Sequence, residues 1–208
     1  MSELKWVFLD VGSTLVDESD VYESRCNYVI SAKGLERDEF MGKVHQAAKV
    51  SPTPIKQVAQ TYGVTLPEWN SSLEKLYLGT EDVLKALSGK YKLGIIANQL
   101  AGTQKRLHNW GVLQYFDVVA ASAEAGYEKP DLRIFKLALE QAGCNPQNAI
   151  MVGDRLENDI APARQLGMKT IWVRQGFAKY QSVEKECEKP DYIIENIDEI
   201  VKVLMGRT

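Results

Sequence analysis

From residue 81 onward, short apolar runs alternate with segments that have a helical pattern. The runs follow one another at 92–97, 117–121, 149–152 and 169–173. This alternation predicts parallel strands joined by right-handed crossovers, with helices on both faces of the sheet. Trp6–Leu9 adds an unbroken apolar run near the N-terminus, as expected of a strand buried on both faces. The predicted fold class is α/β, with a Rossmann-like parallel sheet flanked by helices.

Between the first apolar run and residue 80, the strand pattern is interrupted. Helices are predicted there at 19–33, 36–49, 53–62 and 68–78, separated by prolines and a glycine. An insert of this length is small for a domain. We therefore expect a core formed by residues 1–16 and 81–208, and an all-helical cap formed by residues 17–80. Because the cap begins directly after the first strand's loop, we expect it to lie over that loop.

Composition excludes several classes of protein. The net charge is −3, and no basic stretch alternates with aromatic residues, so a nucleic-acid partner is not expected. No apolar run approaches the ~20 residues of a membrane span, so no membrane partner is expected. Cys26, Cys144 and Cys187 are widely spaced and odd in number, which favours free thiols and a cytoplasmic location. The oligomeric state cannot be inferred from the sequence.

Polar residues collect where the predicted strands end. Asp10 closes the first run, Asn98 follows the run at 92–97, and Asp154 follows the run at 149–152. Lys129 lies between the third run and its helix, and Asp159 lies five residues after Asp154. Ligands of parallel α/β sheets bind beyond the carboxyl ends of the strands. The five side chains are therefore expected to meet at one edge of the sheet.

The charges of this group favour a divalent cation. Asp10, Asp154 and Asp159 repel one another unless cations join them. Lys129 and one divalent ion would neutralise the three carboxylates, and an oxygen-only ligand set favours Mg²⁺. Each residue also has a plain structural explanation, such as a helix N-cap for Asp159. A joint site is preferred because those explanations would require four coincidences at the correct strand ends. Such a cluster suits phosphoryl chemistry, with Asp10 free to act as nucleophile.

Four motifs carry a resemblance to a known family. They are Asp10-Val11-Gly12-Ser13-Thr14, Ala97-Asn98, Gly126-Tyr127-Glu128-Lys129-Pro130, and Gly153-Asp154 with Asp159. In this order and spacing they resemble the motifs of the haloacid dehalogenase superfamily, whose members are mostly phosphatases and related phosphotransferases. That family also carries a cap between its first two motifs. The resemblance implies a strand order of 5-4-1-2-3, with the Asp10 strand beside the Asp154 strand.

The resemblance also implies a metal site and a covalent intermediate. Asp10 would attack phosphorus and become an aspartyl-phosphate. Mg²⁺ would be held by Asp10, the backbone carbonyl of Gly12 and Asp154, with Asp159 reaching it directly or through water. The implied activity is hydrolysis of a small phosphorylated metabolite.

The remaining predicted site residues concern the phosphate group. The resemblance implies that Lys129 neutralises Asp10 and the transferring phosphoryl group, so it is a catalytic and a phosphate-binding residue. Thr14 and nearby backbone amides would shape the loop that holds the phosphate. Asn98 is a further candidate for phosphate binding.

Two residues depart from the family pattern. Gly12 stands where the phosphatases carry an aspartate as general acid and base, an effect usually worth ~10²–10⁴ in rate. Ala97 stands where they carry a threonine or serine, so one hydrogen bond to charge, worth roughly 1.5–3 kcal/mol, is missing. The predicted enzyme is therefore a slow one.

Two alternatives remain at this stage. One is a non-catalytic protein that binds a phosphorylated ligand, which the two departures favour. The other is a phosphonatase-like C–P hydrolase, which lacks the second aspartate but needs a cap lysine to form an imine. Candidates for that lysine are Lys33, Lys43, Lys49 and Lys56. Dehalogenation is disfavoured, because dehalogenases of this family lack the acidic fourth motif and this chain keeps Asp154 and Asp159.

Overall fold

A computed structural model describes residues 3–206. Its centre is a six-stranded sheet in which every neighbouring pair of strands is parallel. The spatial order is β5-β4-β1-β6-β7-β8. These strands are β1 (Trp6–Leu9), β4 (Lys92–Ala97), β5 (Val118–Ala121), β6 (Ala149–Gly153), β7 (Lys169–Val173) and β8 (Tyr192–Ile194). A separate antiparallel ribbon pairs β2 (Val16–Asp17) with β3 (Lys75–Leu76).

Helices cover both faces of the sheet and form most of the cap. In chain order they are α1 (Ser19–Lys33), α2 (Arg37–Ala48), α3 (Pro54–Thr61), α4 (Thr80–Ser88), α5 (Thr103–Asn109), α6 (Ser122–Ala125), α7 (Leu132–Gln141), α8 (Ala161–Gln165) and α9 (Glu199–Met205). A wide π-helical turn, Leu156–Ile160, leads into α8. Within residues 3–206, no helix is both long enough and apolar enough to cross a membrane.

The predicted α/β class and strand order are confirmed. Read from the β7 edge, the first five core strands have the predicted order 5-4-1-2-3, and β8 extends the sheet beyond β7. β1 lies at the centre because it is buried on both faces. Val7 and Leu9 face a core that includes Leu84 of α4, and Phe8 faces the opposite core, which includes Phe135 of α7. The unbroken apolar run therefore encodes the central position of β1.

The helix predicted at 68–78 is wrong. The segment forms a 3₁₀ turn at Ser71–Leu73 and then β3, which pairs with β2. The side chain of Asn70 accepts the Ser72 N–H, and the Tyr77 N–H donates to the Leu15 carbonyl, so the backbone is held in a turn and a ribbon. Leu73, Leu76 and Tyr77 match a helical period by coincidence. Pairing with the chain that leaves the Asp10 loop overrides that local pattern.

The cap helices have a small core of their own. Cys26 of α1, Phe40 and Val44 of α2 and Val58 of α3 pack together there. Phe177, from the segment after β7, packs among them, so the cap lies against the sheet side of the molecule.

The three cysteines are free thiols, as predicted. The division into a core of residues 1–16 and 81–208 and a cap of residues 17–80 stays a prediction.

Gly94 gives a test of how tightly the central strands pack. Its register partner on β1 is Phe8, and a β-carbon at Gly94 would lie 2.6 Å from two ring atoms of Phe8. Gly94→Ala should therefore destabilise the protein by about 1–3 kcal/mol. The matched control is Gly42→Ala in α2, where no atom lies within 4 Å of the new methyl group. That change should stabilise by roughly 0.5–1 kcal/mol. Urea unfolding measures both, and equal effects would contradict the packing argument.

Candidate active site and metal centre

The carboxyl ends of β1 and β6 bring two aspartates together. Leu9 pairs with Val152 in the parallel register, and the Asp10 N–H donates to the Val152 carbonyl at 2.9 Å. Asp10 and Asp154 therefore leave the sheet side by side. This adjacency follows from two apolar runs that each end on a carboxylate.

Asp159 completes a buried acidic cluster with Asp10 and Asp154. Ligand oxygens of the three residues lie within 4.8 Å of one another. Burial raises the pKa of Asp154 well above its ordinary value, and the neighbouring Asp10 and Asp159 raise it further, against the lowering effect of Arg155. Three crowded carboxylates of this kind fit a divalent cation, because a metal removes both the repulsion and the desolvation cost.

Lys129 is the ammonium group inside the cluster. Its Nζ lies 2.7 Å from Asp10 Oδ1 and 2.5 Å from Asp159 Oδ1, and its side chain is 2% exposed. Burial alone would lower the pKa of Lys129, but Asp10 and Asp159 raise it above its ordinary value. Lys129 is therefore charged at neutral pH, and it joins the nucleophile candidate to the acidic loop that follows β6.

Asp159 uses both carboxylate oxygens within the protein. Oδ1 accepts from Lys129, and Oδ2 accepts the backbone N–H of Arg155 at 2.9 Å. A β-carbon on Gly153 would overlap the Asp159 carboxylate, so the glycine leaves the space in which that carboxylate lies. Asp159 thus fixes the loop after β6 and the Lys129 ammonium at once.

Asn98 holds the backbone of Lys129. Its Oδ1 accepts the Lys129 N–H at 2.6 Å, and its Nδ2 donates to the Lys129 carbonyl at 2.9 Å. Both polar ends of the amide are thus bound to one residue of the third motif. This contact explains how the end of β4 sets the position of Lys129, whereas a role of Asn98 in phosphate binding stays a prediction.

The loop after β1 is held by Gln175, which follows β7. Gln175 Nε2 donates to the carbonyls of Ser13 and Thr14, and Gln175 Oε1 accepts the Ile197 N–H. Thr14 is fully buried, and its Oγ1 has no hydrogen-bond partner among residues 3–206. Ser13 has a φ of 53°, which keeps the loop sharply turned. The proposed role of Thr14 in shaping a phosphate loop stays a prediction.

Arg155 is a site residue that the sequence reasoning missed. Its Nε lies 3.3 Å from Asp154 Oδ2, and its side chain is nearly buried. Its only signal in the sequence is its position directly after Asp154. The predicted charge balance of the site includes Lys129 and a divalent ion but not Arg155. With Arg155 included, three aspartates face two fixed cations.

Glu18 is the second missed residue, and it lies beside Gly12. A β-carbon on Gly12 would lie 2.5 Å from Glu18 Oε1. Glu18 is 8% exposed, and burial raises its pKa to about 7, more than the hydrogen bonds from Tyr22 and Ser13 lower it. No periodicity in the sequence distinguishes Glu18 from its acidic neighbours Asp17 and Asp20, so only the fold could identify it.

A cavity of about 420 Å³ opens over the Asp10 loop. Its lining includes Asp10, Gly12, Glu18, Lys129 and Asp154. A second cavity of about 360 Å³ shares Glu18, Asn98, Gln99 and Glu128 with the first and extends to Trp69, Glu74 and Arg106. The two cavities therefore adjoin each other along the residues that they share.

Removal of Lys129 tests the electrostatics of the cluster. Lys129→Met leaves two buried carboxylates without their cation and should destabilise the protein by about 3–5 kcal/mol in a chelating buffer. The control is Lys92→Met, because Lys92 forms an exposed ion pair with Asp117 at 2.7 Å. That pair should be worth at most about 1 kcal/mol. Chemical unfolding measures both, and a Lys129 variant no weaker than the Lys92 variant would contradict this account.

The pKa of Glu18 predicts a pH-dependent stability. As the pH rises from 4.5 to 7, the unfolded state releases the Glu18 proton before the folded state does, so folding loses stability. The loss is complete above pH 7 and amounts to roughly 3 kcal/mol. Glu18→Gln has no group that titrates at this position. Its free energy of unfolding, relative to that of the native protein, should therefore rise by about that amount between pH 4.5 and pH 8. Urea unfolding with a chelator measures the gain, and a difference independent of pH would contradict it.

Comparisons with known proteins agree with this geometry. Residues 7–173 match the profile of the haloacid dehalogenase-like hydrolases. Glyceraldehyde 3-phosphate phosphatase of Pyrococcus furiosus is 42% identical, with 98% of this chain and 94% of the relative covered. The enzyme of the same name from Methanothermobacter thermautotrophicus is 29% identical over 95% of this chain and 87% of its own. Pyrimidine 5'-nucleotidase YjjG of Escherichia coli is 35% identical over 61% of this chain and 55% of its own.

Solved structures share the fold over nearly the whole chain. A haloacid dehalogenase phosphatase from Thermococcus onnurineus has a TM-score of 0.66 and 25% identity, with 98% of this chain and 99% of that one covered. The hydrolase YfnB from Bacillus subtilis, solved with bound magnesium, has a TM-score of 0.71 at 19% identity, with the same coverage. The matches to relatives confirm the predicted enzyme class, a hydrolase of phosphatase type. The chain therefore belongs to the haloacid dehalogenase-like hydrolase family.

Proposed function

We propose that this hydrolase is a Mg²⁺-dependent phosphatase of a small phosphorylated metabolite and that Asp10 is its nucleophile. One observation carries the proposal. Asp10 lines the cavity, belongs to the buried acidic cluster, and accepts a hydrogen bond from a buried lysine through Oδ1. A carboxylate held in this way is oriented by Lys129 and lies beside the oxygen ligands that a metal requires.

The chain's own residues account for the steps of the reaction. An oxygen of Asp10 attacks phosphorus, the ester P–O bond breaks, and an aspartyl-phosphate forms. Water then attacks phosphorus, the bond to Asp10 breaks, and inorganic phosphate leaves. Lys129 orients Asp10 and attracts the phosphate, and Asn98 and Asp159 hold Lys129 in place.

The metal ligands come from the same three elements. Asp10, the backbone carbonyl of Gly12 and Asp154 would hold Mg²⁺, and Asp159 would contribute through water, because both of its oxygens already have protein partners. When bound, Mg²⁺ supplies positive charge against the phosphate oxygens and so lowers the repulsion that Asp10 must overcome.

The names of the relatives guide the choice of substrate. Two of them act on glyceraldehyde 3-phosphate, and a third is a pyrimidine 5'-nucleotidase. Cavities of about 420 and 360 Å³ suit an ester of a few carbons or a mononucleotide. Glyceraldehyde 3-phosphate is therefore the first substrate to test.

The two alternatives have less support. A phosphonatase needs a lysine of the cap at the reaction centre. Lys33, Lys43, Lys49 and Lys56 are exposed, and the described residues that line the cavity include none of them. A protein that only binds its ligand has no need of an oriented carboxylate beside a lysine. Catalysis that is lost in Asp10→Asn would exclude that alternative.

A panel of phosphate esters tests the proposal. It contains glyceraldehyde 3-phosphate, pyrimidine nucleotides, pyrophosphate and an aryl phosphate, each with and without Mg²⁺. We expect release of inorganic phosphate that requires Mg²⁺ and falls to background in Asp10→Asn. Asp20→Asn is the matched control, because Asp20 forms an exposed ion pair with Lys75 and should leave turnover unchanged. Native turnover no higher than that of Asp10→Asn on every ester would refute a phosphatase.

A further inference from the structure

The carboxyl group of Glu18 occupies the place that a side chain at Gly12 would need. A β-carbon at Gly12 would lie 2.5 Å from Glu18 Oε1 and 3.0 Å from its carboxyl carbon. Real β-carbons do not approach other atoms so closely. Glu18 can therefore take this position only because residue 12 is a glycine, and an aspartate at 12 would exclude Glu18 from it. The two positions are thus sterically coupled.

Hydrogen bonds hold the Glu18 carboxyl group in one orientation. Tyr22 Oη donates to Oε2 at 2.5 Å, and Ser13 Oγ donates to the same oxygen at 3.0 Å. Oε1, the other oxygen, is the Glu18 atom nearest to a β-carbon at Gly12, and Glu18 and Asp10 line the same cavity. One oxygen is therefore anchored by two hydroxyl groups, and the other faces Gly12 in the loop that carries Asp10.

The position of Glu18 in the chain supports a role in the site. It is the N-cap residue of α1, where a short side chain such as that of Asp, Asn, Ser or Thr often accepts a backbone N–H of the helix. Glu18 makes no such bond. Instead its side chain points towards the loop after β1 and is buried there at 8% exposure. Burial of a carboxyl group costs stability unless the group is hydrogen-bonded, and here Tyr22 and Ser13 supply the hydrogen bonds. Glu18 is thus a buried, ordered carboxyl group in the lining of the cavity that Asp10 also lines.

We propose that Glu18 is the general acid and base of this hydrolase, supplying the carboxyl group that is missing at Gly12. This inference rests on the proposed phosphatase function. In the first step, Glu18 gives its proton to the leaving ester oxygen as Asp10 bonds to phosphorus and the P–O bond breaks. In the second step, the Glu18 carboxylate takes a proton from the attacking water, and the Asp10–phosphorus bond breaks. Glu18 is then protonated again, and Asp10 is free.

A structural role for Glu18 makes a different prediction from a catalytic one. If Glu18 only holds Tyr22 and Ser13, its loss should lower turnover of every ester by the same factor. If it protonates the leaving oxygen, its loss should matter most for esters whose leaving group is a strong base. An alkyl phosphate has such a leaving group, whereas a nitrophenyl phosphate leaves without much help from an acid.

The test compares Glu18→Gln with the native protein on glycerol 3-phosphate and on p-nitrophenyl phosphate. We expect kcat/KM for the alkyl ester to fall ~10²–10⁴-fold and that for the aryl ester to fall far less. Binding of inorganic phosphate with Mg²⁺ should persist, as measured by calorimetry. Glu23→Gln is the matched control, because Glu23 lies on the same helix in an exposed ion pair with Arg37. Glu23→Gln should leave kcat/KM unchanged for both esters.

A second variant moves the carboxyl group back to residue 12. Gly12→Asp combined with Glu18→Ala removes the overlap and should restore much of the alkyl-to-aryl ratio that Glu18→Gln loses. Gly12→Asp alone should not reach the native alkyl-to-aryl ratio, because the new side chain and Glu18 compete for the same space. If Glu18→Gln fails to fold, the alkyl-to-aryl ratio of the double variant is compared directly with that of the native protein.

Three results have distinct meanings. Equal losses on both esters in Glu18→Gln would overturn the role of Glu18, and so would a folded double variant that keeps the full alkyl deficit. A native protein with no more turnover than Asp10→Asn would overturn the proposed function itself. The first two outcomes leave a phosphatase without an assigned acid, so the two failures are distinguishable.

Discussion

The structure depends on how three buried carboxylates are kept together at one edge of a sheet. Asp10, Asp154 and Asp159 would repel one another strongly in so dry a place, and Lys129 binds two of them directly. Neighbouring features hold this arrangement in place. Asn98 fixes the lysine backbone, and Gly153 leaves room for the Asp159 carboxylate. The edge therefore keeps three carboxylates close together in an arrangement that fits a divalent cation.

Much of this arrangement was predictable because it depends on backbone topology. Unbroken apolar runs identify strands buried on both faces, and parallel strands bring their carboxyl ends to one edge. Asp10 and Asp154 directly follow two such strands, β1 and β6, so their proximity is a property of the fold and hardly depends on side-chain packing. The strand order came from the resemblance to the family, and it agrees with the observed pairing of β1 with β4 and β6.

The errors and omissions have a different origin. The segment at 68–78 carries a helical period, yet pairing with the chain that leaves the Asp10 loop decides its structure. Such pairing joins residues far apart in the sequence, so no local window reveals it. Glu18 and Arg155 were missed because their role depends on the direction of a side chain. Glu18 points inward because Tyr22 and Ser13 bind its Oε2, a contact that needs α1 to be in place.

A motif mismatch therefore has to be judged by volume and charge as well as by residue identity. At the sequence level, Gly12 counts as the loss of an acid and predicts a slow enzyme. In the folded chain, the space that Gly12 leaves is filled by a carboxyl group from six residues further on. A side chain at residue 12 and the Glu18 carboxyl group in its present position cannot occupy this space together, so the two positions are sterically coupled. The chain therefore has no aspartate at residue 12 and still has a buried carboxyl group in the lining of the cavity that Asp10 also lines.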